Sequence, residues 1–138
     1  MDLGLQDKVA IITGGSEGIG KAAALGMARE GARVFLVARR PEVLEQAAQE
    51  IKTATEGVAI PFPGDVTDRG IAGRVVQAAL DQFGRVDILV NNAGTSMAKG
   101  FEDVSEEDWE ADFSLKVWGA VRLIRAVIPE MRRAGGGR

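Results

Sequence analysis

Short apolar runs and longer amphipathic runs alternate strictly along this chain of 138 residues. Buried strands are predicted for the short runs, which are rich in β-branched residues: Val9–Thr13, Arg33–Ala38, Val58–Pro61 and Val86–Asn91. Helices are predicted for the longer runs: Ile19–Arg29, Glu42–Ala54, Arg69–Phe83 and Glu106–Met131. Strict alternation predicts an α/β fold with a doubly wound parallel sheet in the order 3-2-1-4. Ligands of such sheets bind at the carboxyl ends of the strands, here near strands 1 and 4.

The composition excludes several classes of chemistry. The chain has no cysteine and no histidine, so it offers no disulfide, no thiolate and no zinc–thiolate site, and we expect no metal. Seventeen basic and 20 acidic residues give a net charge of −3, which does not suggest a nucleic-acid partner. No run is long enough to span a membrane, and the N-terminus has no signal-peptide pattern, so we expect a cytoplasmic protein without a membrane partner.

A glycine-rich segment, Thr13–Gly20, lies between the first strand and an alanine-rich helix. The N–H groups and the dipole of a helix N-terminus favour a phosphate or pyrophosphate at such a turn. Gly14 permits the sharp turn, Gly18 lets the backbone approach a ligand, and Gly20 lets the helix pack closely. A tight strand–helix turn without a ligand is the alternative. The context favours dinucleotide binding.

Two arginines, Arg39 and Arg40, follow the second strand where dinucleotide-binding folds contact the adenosine ribose. An acid at this point suits a free 2′-hydroxyl, whereas arginine suits a 2′-phosphate because its planar fork donates two parallel hydrogen bonds. NADP(H) is therefore favoured over NAD(H). A solvated basic pair before the Pro41 helix start is the alternative, and the carboxylate of Glu17 argues against a phosphate nearby.

Two further turns end strands 3 and 4 of the predicted sheet. Asp65 can accept a hydrogen bond from an adenine amino group while Val66 covers the ring; a loop acid beside a helix cap at Thr67 or Asp68 is the alternative. Asn91-Asn92-Ala93-Gly94 can tie strands together and leave room for a flat ligand, or can be an ordinary Asn/Gly turn.

Together, the motifs TGGSEGIG, DVTD and NNAG resemble the short-chain dehydrogenase/reductase family, and in particular its 3-oxoacyl-carrier-protein reductases. The resemblance covers essentially the whole chain and implies a Rossmann-type fold. It also implies that the pyrophosphate and nicotinamide end is lined by Gly14, Ser16, Glu17, Gly18 and Ile19. Arg39 would face the 2′-phosphate, Asp65 and Val66 the adenine, and Asn92, Ala93 and Gly94 the adenine ribose and central crevice. Asn91 is expected to brace the sheet.

The chain departs from this family in its catalytic residues. Relatives place a serine after the next strand and a Tyr-x-x-x-Lys pair on the next helix, but this chain contains no tyrosine. We therefore expect residues 1–138 to form a single dinucleotide-binding domain that stops before the fifth strand. Either Ile88–Val90 becomes an apolar sheet edge that pairs with another chain, or the sequence is part of a protein nearly twice as long; we favour the latter.

The last helix carries a further departure. Lys116 stands where the family commonly has a catalytic asparagine. Because the serine and the Tyr-x-x-x-Lys pair are missing as well, we assign the chain no catalytic residue. The ammonium of Lys116 either points inward or extends to solvent along its apolar stem. The expected inward face of this helix comprises Trp109, Phe113, Val117, Ala120, Val121, Ile124 and Ile128. Relatives commonly pair this helix in a four-helix bundle, which implies a homo-oligomer, a dimer or a tetramer.

The functional prediction is an oxidoreductase that moves hydride between NADP(H) and a small-molecule carbonyl or secondary alcohol, represented here by its cofactor-binding half. A non-catalytic dinucleotide-binding module, a subunit of a split enzyme, and a structural protein without nucleotide affinity are the alternatives. The substrate is not readable, because only the segment from Thr95 to Phe101 could contribute to its recognition.

Overall fold

The chain forms a four-stranded parallel sheet with helices on both faces, and the strands lie in the predicted order β3-β2-β1-β4. The computed structural model describes residues 1–95 and 98–138. The strands are β1 (Val9–Thr13), β2 (Arg33–Ala38), β3 (Val58–Pro63) and β4 (Ile88–Val90). The first three helices are α1 (Gly18–Arg29), α2 (Pro41–Thr55) and α3 (Ile71–Phe83). A 3₁₀ turn (Phe101–Asp103) precedes α4 (Glu106–Phe113), which a π-helical segment (Ser114–Trp118) joins to α5 (Gly119–Arg133).

The alternation of side chains along β1 divides the core between the two faces of the sheet. Ile11 points to the layer of α3 and α5, where it packs with Val75 and Leu123. Ala10 and Ile12 point to the opposite layer, formed by α1 and α2. All five residues of β1 are buried, as expected for a central parallel strand.

A buried carboxylate, Asp87, ties the start of β4 to the start of β1. Its Oδ2 accepts hydrogen bonds from the Val9 N–H at 2.9 Å and from Arg85 Nε at 2.9 Å, and its Oδ1 accepts one from Arg85 Nη2 at 2.6 Å. Burial raises the pKa of Asp87, but the hydrogen bonds from Arg85 and Val9 outweigh burial, so the pKa lies below its ordinary value. The ionised carboxylate therefore stabilises the junction of the two strands.

The edge of the sheet at β4 differs from the expected long apolar edge. The strand has three residues, all half-buried, and its outer side is partly covered. Arg138 donates its N–H to Asp87 O at 3.0 Å and accepts from Leu89 N–H at 2.9 Å, the hydrogen-bond pattern of a parallel pair opposite Ile88. The physical reason is that the glycines after α5 let the chain fold back onto the sheet.

The predicted single helix over Glu106–Met131 is interrupted, and its predicted inward face was wrong. Leu123 and Val127 are the buried apolar side chains of α5, whereas the apolar positions expected inside are largely exposed: Trp109, Phe113, Val117, Ile124 and Ile128. Gly119 explains which face of the helix is buried, because its α-carbon lies so close to Val66 that an added Cβ would be 3.1 Å from Val66 Cγ2. The predicted capping box at the start of α4 is confirmed: Ser105 Oγ accepts from Asp108 N–H and Asp108 Oδ2 from Ser105 N–H.

Candidate functional site

A cavity of about 480 Å³ opens at the carboxyl ends of β1, β2 and β4. Its walls come from the glycine-rich segment, the turn after β2, the turn after β3, the turn after β4 and the π-helical segment. They comprise Gly14, Ser16, Glu17, Gly18, Ile19, Val37, Ala38, Arg39, Arg40, Gly64, Val66, Asn92, Ala93, Gly94, Thr95 and Leu115. This position is the crevice in which doubly wound sheets bind their ligands.

The glycine-rich segment reaches its shape through two positions that tolerate no side chain. Gly14 has a φ of +64°, and a Cβ there would lie 2.8 Å from Asn92 Nδ2. A Cβ on Gly20 would lie 2.3 Å from Gly14 O and 2.4 Å from Asn92 Nδ2. Gly20 thus lets α1 pack against the turn that precedes it and against Asn92, rather than against the strand alone.

The N-terminus of α1 faces the cavity with its first-turn amides uncapped by a side chain. Glu17 occupies the N-cap position in an extended conformation, and its side chain makes no capping hydrogen bond. These amide donors and the positive end of the helix dipole suit a phosphate or pyrophosphate. Ile19 in the first turn is 82% exposed, which gives the cavity an apolar contact surface beside the amides.

Thr13 and Asn92 fasten the turn after β4 to the glycine-rich segment. The buried Thr13 hydroxyl accepts from the N–H groups of Asn92 and Ala93, each at 3.0 Å, and donates to Val90 O at 3.4 Å. Asn92 Nδ2 donates to Gly14 O at 3.1 Å. The expectation that Asn91 braces the sheet was wrong: in the part of the chain that the structure describes, this task falls to Asn92, and Asn91 is exposed.

The turn after β2 brings two guanidinium groups to the rim of the cavity. Arg40 Nη2 donates to Glu17 Oε2 at 2.6 Å, and both side chains are more than three-fifths exposed. Arg39 is also exposed and lines the cavity. The rim therefore carries one ion pair and one further arginine.

The turn after β3 contributes Val66 more directly than Asp65. Asp65 Oδ1 accepts from Thr67 N–H at 2.9 Å and from Thr67 Oγ1 at 2.8 Å, a local turn stabilised by the aspartate side chain. Val66 is buried and lines the cavity between Gly64 and the π-helical segment. Neither Thr67 nor Asp68 caps a helix; α3 begins at Ile71 after Gly70.

The π-helical segment turns Leu115 into the cavity and places Lys116 beside it. Lys116 Nζ donates to Asp112 Oδ2 at 3.1 Å and lies 2.9 Å from Asp112 Oδ1. The lysine side chain is 44% exposed, so its ammonium pairs along the helix instead of entering the core. Its stem passes Gly94, where Lys116 Cε would lie 3.7 Å from an added Cβ. Lys116 thus flanks the predicted central crevice.

Ten of the 11 residues predicted to bind a cofactor lie around this one cavity; Asp65 stands between two lining residues, Gly64 and Val66. Sequence reasoning missed the role of Thr13; the available signal was a hydroxyl side chain at the end of an apolar strand run. It also missed Leu115, which lines the cavity from a π-helical segment that the sequence did not predict. Ser96 and Met97, within the segment expected to meet substrate, lie outside the described residues.

Residues 1–95 and 98–138 contain no cluster of three or more acidic side chains that could hold a metal ion. None of their helices combines the length and the apolar character that a membrane crossing requires.

Solved structures similar to this chain include L-sorbose reductase from Gluconobacter frateurii, determined with NADPH and L-sorbose. It superposes with a TM-score of 0.94 and 42% identity over 99% of this chain and 52% of the reductase. A short-chain dehydrogenase from Streptomyces avermitilis superposes with a TM-score of 0.85 and 38% identity over 95% of this chain and 46% of its own.

Curated relatives are oxidoreductases as well. One from Listeria monocytogenes is 41% identical over 91% of this chain and 50% of its own length. One from Bacillus subtilis is 36% identical over 100% of this chain and 51% of its own length. The chain spans about half the length of the curated relatives it matches. The family model described as short chain dehydrogenase matches residues 8–138. Sheet order, glycine-rich segment and these matches agree, and the chain belongs to the short-chain dehydrogenase family.

Proposed function

We propose that this chain is the dinucleotide-binding part of an NADP-dependent reductase that interconverts a small-molecule carbonyl and a secondary alcohol. The observation that supports NADP most directly is the turn after β2, which presents Arg39 and Arg40 to the cavity and no carboxylate of its own. The related L-sorbose reductase was determined with NADPH, which supports the same cofactor.

The residues around the cavity suit the parts of a dinucleotide. The uncapped amides of α1 would hold the pyrophosphate, and Arg39 would meet the 2′-phosphate with its planar fork. Val66 and the bare backbone of Ala93 and Gly94 would cover flat rings. When bound, the nicotinamide supplies the hydride, while the protein orients the reacting carbon and excludes water.

A fluorescence titration of the purified protein with NADPH and with NADH tests this proposal. We expect saturable binding of both, with NADPH tighter. Arg39→Gln should weaken the binding of NADPH by at least about tenfold, because a charge-assisted hydrogen bond contributes about 1.5–3 kcal/mol. It should leave the affinity for NADH within about a factor of two.

The matched control is Arg29→Gln, which removes the same charge from the far end of α1. Equal losses of affinity in the two variants would show a general charge effect and contradict the role of Arg39. Absence of saturable binding of either dinucleotide would contradict the proposed function itself.

We also propose that the protein self-associates through the exposed apolar face that runs from α4 through the π-helical segment to α5, defined by Trp109, Phe113, Val117, Ile124 and Ile128. Phe113 is the most exposed of these residues, at 54%, and the ring centroids of Trp109 and Phe113 lie 6.0 Å apart. Contiguous exposed apolar patches of this kind mark interaction sites in soluble domains. The two-sided apolar character of the helices supports a second copy of the chain as the partner.

A further inference from the structure

One acidic side chain lies on the rim of the proposed phosphate site. Glu17, the N-cap residue of α1, reaches across the mouth of the cavity to Arg40 at the start of α2. The contact joins Arg40 Nη2 to Glu17 Oε2 at 2.6 Å, and the two side chains are 62% and 63% exposed. An ion pair thereby links the glycine-rich segment to the turn after β2, although 23 positions separate the two residues.

The neighbouring charges leave Glu17 with one partner. Lys21, one helical turn further along α1, pairs with Glu50 of α2 instead. Arg39, next to Arg40, takes part in no ion pair within residues 1–95 and 98–138. Arg40 is thus neutralised by Glu17, whereas Arg39 carries the uncompensated positive charge of the rim.

A 2′-phosphate that enters this rim meets Glu17 in two ways. A phosphate monoester carries about −1.5 to −2 charges near neutral pH, so it is repelled by the carboxylate. Glu17 also holds a second guanidinium that would otherwise be able to donate to the phosphate, since Arg40 donates its Nη2 to that carboxylate. An unphosphorylated ribose meets neither cost, because a hydroxyl is neutral.

We propose that Glu17 is a specificity-determining residue that limits the preference of this protein for 2′-phosphorylated dinucleotides. Its carboxylate holds Arg40 as an internal counter-ion and leaves Arg39 as the arginine available to the phosphate. The inference rests on the proposed function for the location of the nucleotide, but it concerns a residue that works against that preference.

The effect is of moderate size, because the pair is exposed. Exposed ion pairs contribute up to about 1 kcal/mol, which converts to a change in affinity of up to about fivefold at 1.4 kcal/mol per factor of ten. It must also fall with added salt, since charges on a solvated rim are screened over about 10 Å at 0.1 M ionic strength.

Calorimetric titration with adenosine 2′,5′-bisphosphate and adenosine 5′-monophosphate tests the proposal, because these probes differ only in the 2′-phosphate. Glu17→Gln should tighten the bisphosphate about two- to fivefold and leave the monophosphate unchanged. The gain should shrink between about 50 mM and 500 mM salt. The gain should be smaller when Glu17→Gln is made in an Arg40→Gln background, because the repulsion by the carboxylate is still relieved but no guanidinium is released to meet the phosphate.

Glu45→Gln serves as the matched control. It removes the same charge from an exposed position of α2 that does not line the cavity. An equal gain in Glu45→Gln, an equal change for both probes in Glu17→Gln, or no change in either would overturn the proposal.

The two proposals fail in different ways. If the wild-type protein binds the monophosphate more tightly than the bisphosphate, the proposed NADP preference is wrong. The ratio between wild type and Glu17→Gln still decides the role of Glu17 in that case. If the wild-type protein binds neither probe, both proposals are overturned.

Discussion

The two sides of β1 are built differently. On one side it pairs with β2 over five residue pairs, and β2 is buried through most of its length between the two helix layers. On the other side it pairs with β4 over three residue pairs, all half-buried on the β4 side, and the helices beyond present apolar side chains to solvent. The half that carries the glycine-rich segment therefore buries most of its apolar strand residues. The half that carries α5 retains apolar surface that a partner can cover.

Substitutions at Leu123 and Ile124 compare a buried with an exposed apolar position of α5, because the two residues are adjacent in sequence and opposite in burial. Leu123 is 1% exposed and Ile124 is 43% exposed. Leu123→Ala should lower the free energy of unfolding by about 2–5 kcal/mol, since it leaves a cavity in the core. Ile124→Asp should change it by less than about 1 kcal/mol and should shift the protein toward the monomer.

Urea unfolding measures the first effect and sedimentation velocity the second. A strongly destabilised Ile124→Asp would show that this face is covered within one chain. An unchanged sedimentation coefficient with wild-type stability would contradict the proposed self-association.

A substitution at Gly20 tests the other half, which carries the glycine-rich segment. Gly20→Ala should lower the free energy of unfolding by about 1–3 kcal/mol, because overpacking forces the backbone apart. The new Cβ would lie 2.3 Å from Gly14 O, so the glycine-rich segment must shift and dinucleotide binding should fall sharply. Thermal unfolding and the NADPH titration are the measurements.

Gly26→Ala in the same helix is the control, since a Cβ there meets nothing within 4 Å. It should be neutral or stabilising by up to about 1 kcal/mol and should bind NADPH as the wild type does. Equal behaviour of the two variants would contradict the packing role of Gly20.

Asp87 joins the two halves of the sheet. Its substitution should have a small effect on the free energy of unfolding, and this effect should depend on pH. Asp87→Asn should cost about 1–2 kcal/mol near neutral pH, because charge-assisted hydrogen bonds to Val9 and Arg85 are weakened. The pKa of Asp87 is lowered in the folded state, so its contribution is fully present above the unfolded pKa of about 3.9. It is lost as the pH falls through the folded pKa.

Urea unfolding at pH 7 and at about pH 3 therefore should show a smaller difference between wild type and Asp87→Asn at the lower pH. The exposed Asp81→Asn is the control and should show little difference at either pH. A constant difference for Asp87→Asn would mean that packing rather than charge holds this junction.

Sequence periodicity predicted the strand order and the cavity because both follow from short-range patterns. Apolar strand runs that alternate with amphipathic helices leave few topologies, and the crevice then follows from the strand order. The inward face of α5 could not be predicted in this way. Its two apolar stripes, one through Leu123 and one through Ile124, are equivalent until the π-helical segment and the close approach at Gly119 choose between them.

Contacts between distant turns were also beyond the sequence. Glu17 and Arg40 belong to different turns, and nothing in either turn specifies that their side chains meet. The hydrogen bonds of Thr13 to Asn92 and Ala93 span 79 and 80 positions. Such pairs become visible only when the sheet has brought the carboxyl ends of its strands together.

The Thr13 hydroxyl has a consequence for the energetics of binding. A hydroxyl has one proton and two lone pairs, and Val90, Asn92 and Ala93 use all three. Opposite walls of the cavity are thus preorganised during folding, when fixing a backbone costs about 1–2 kcal/mol per residue. A ligand that enters need not order them again, so more of its contact energy appears as affinity.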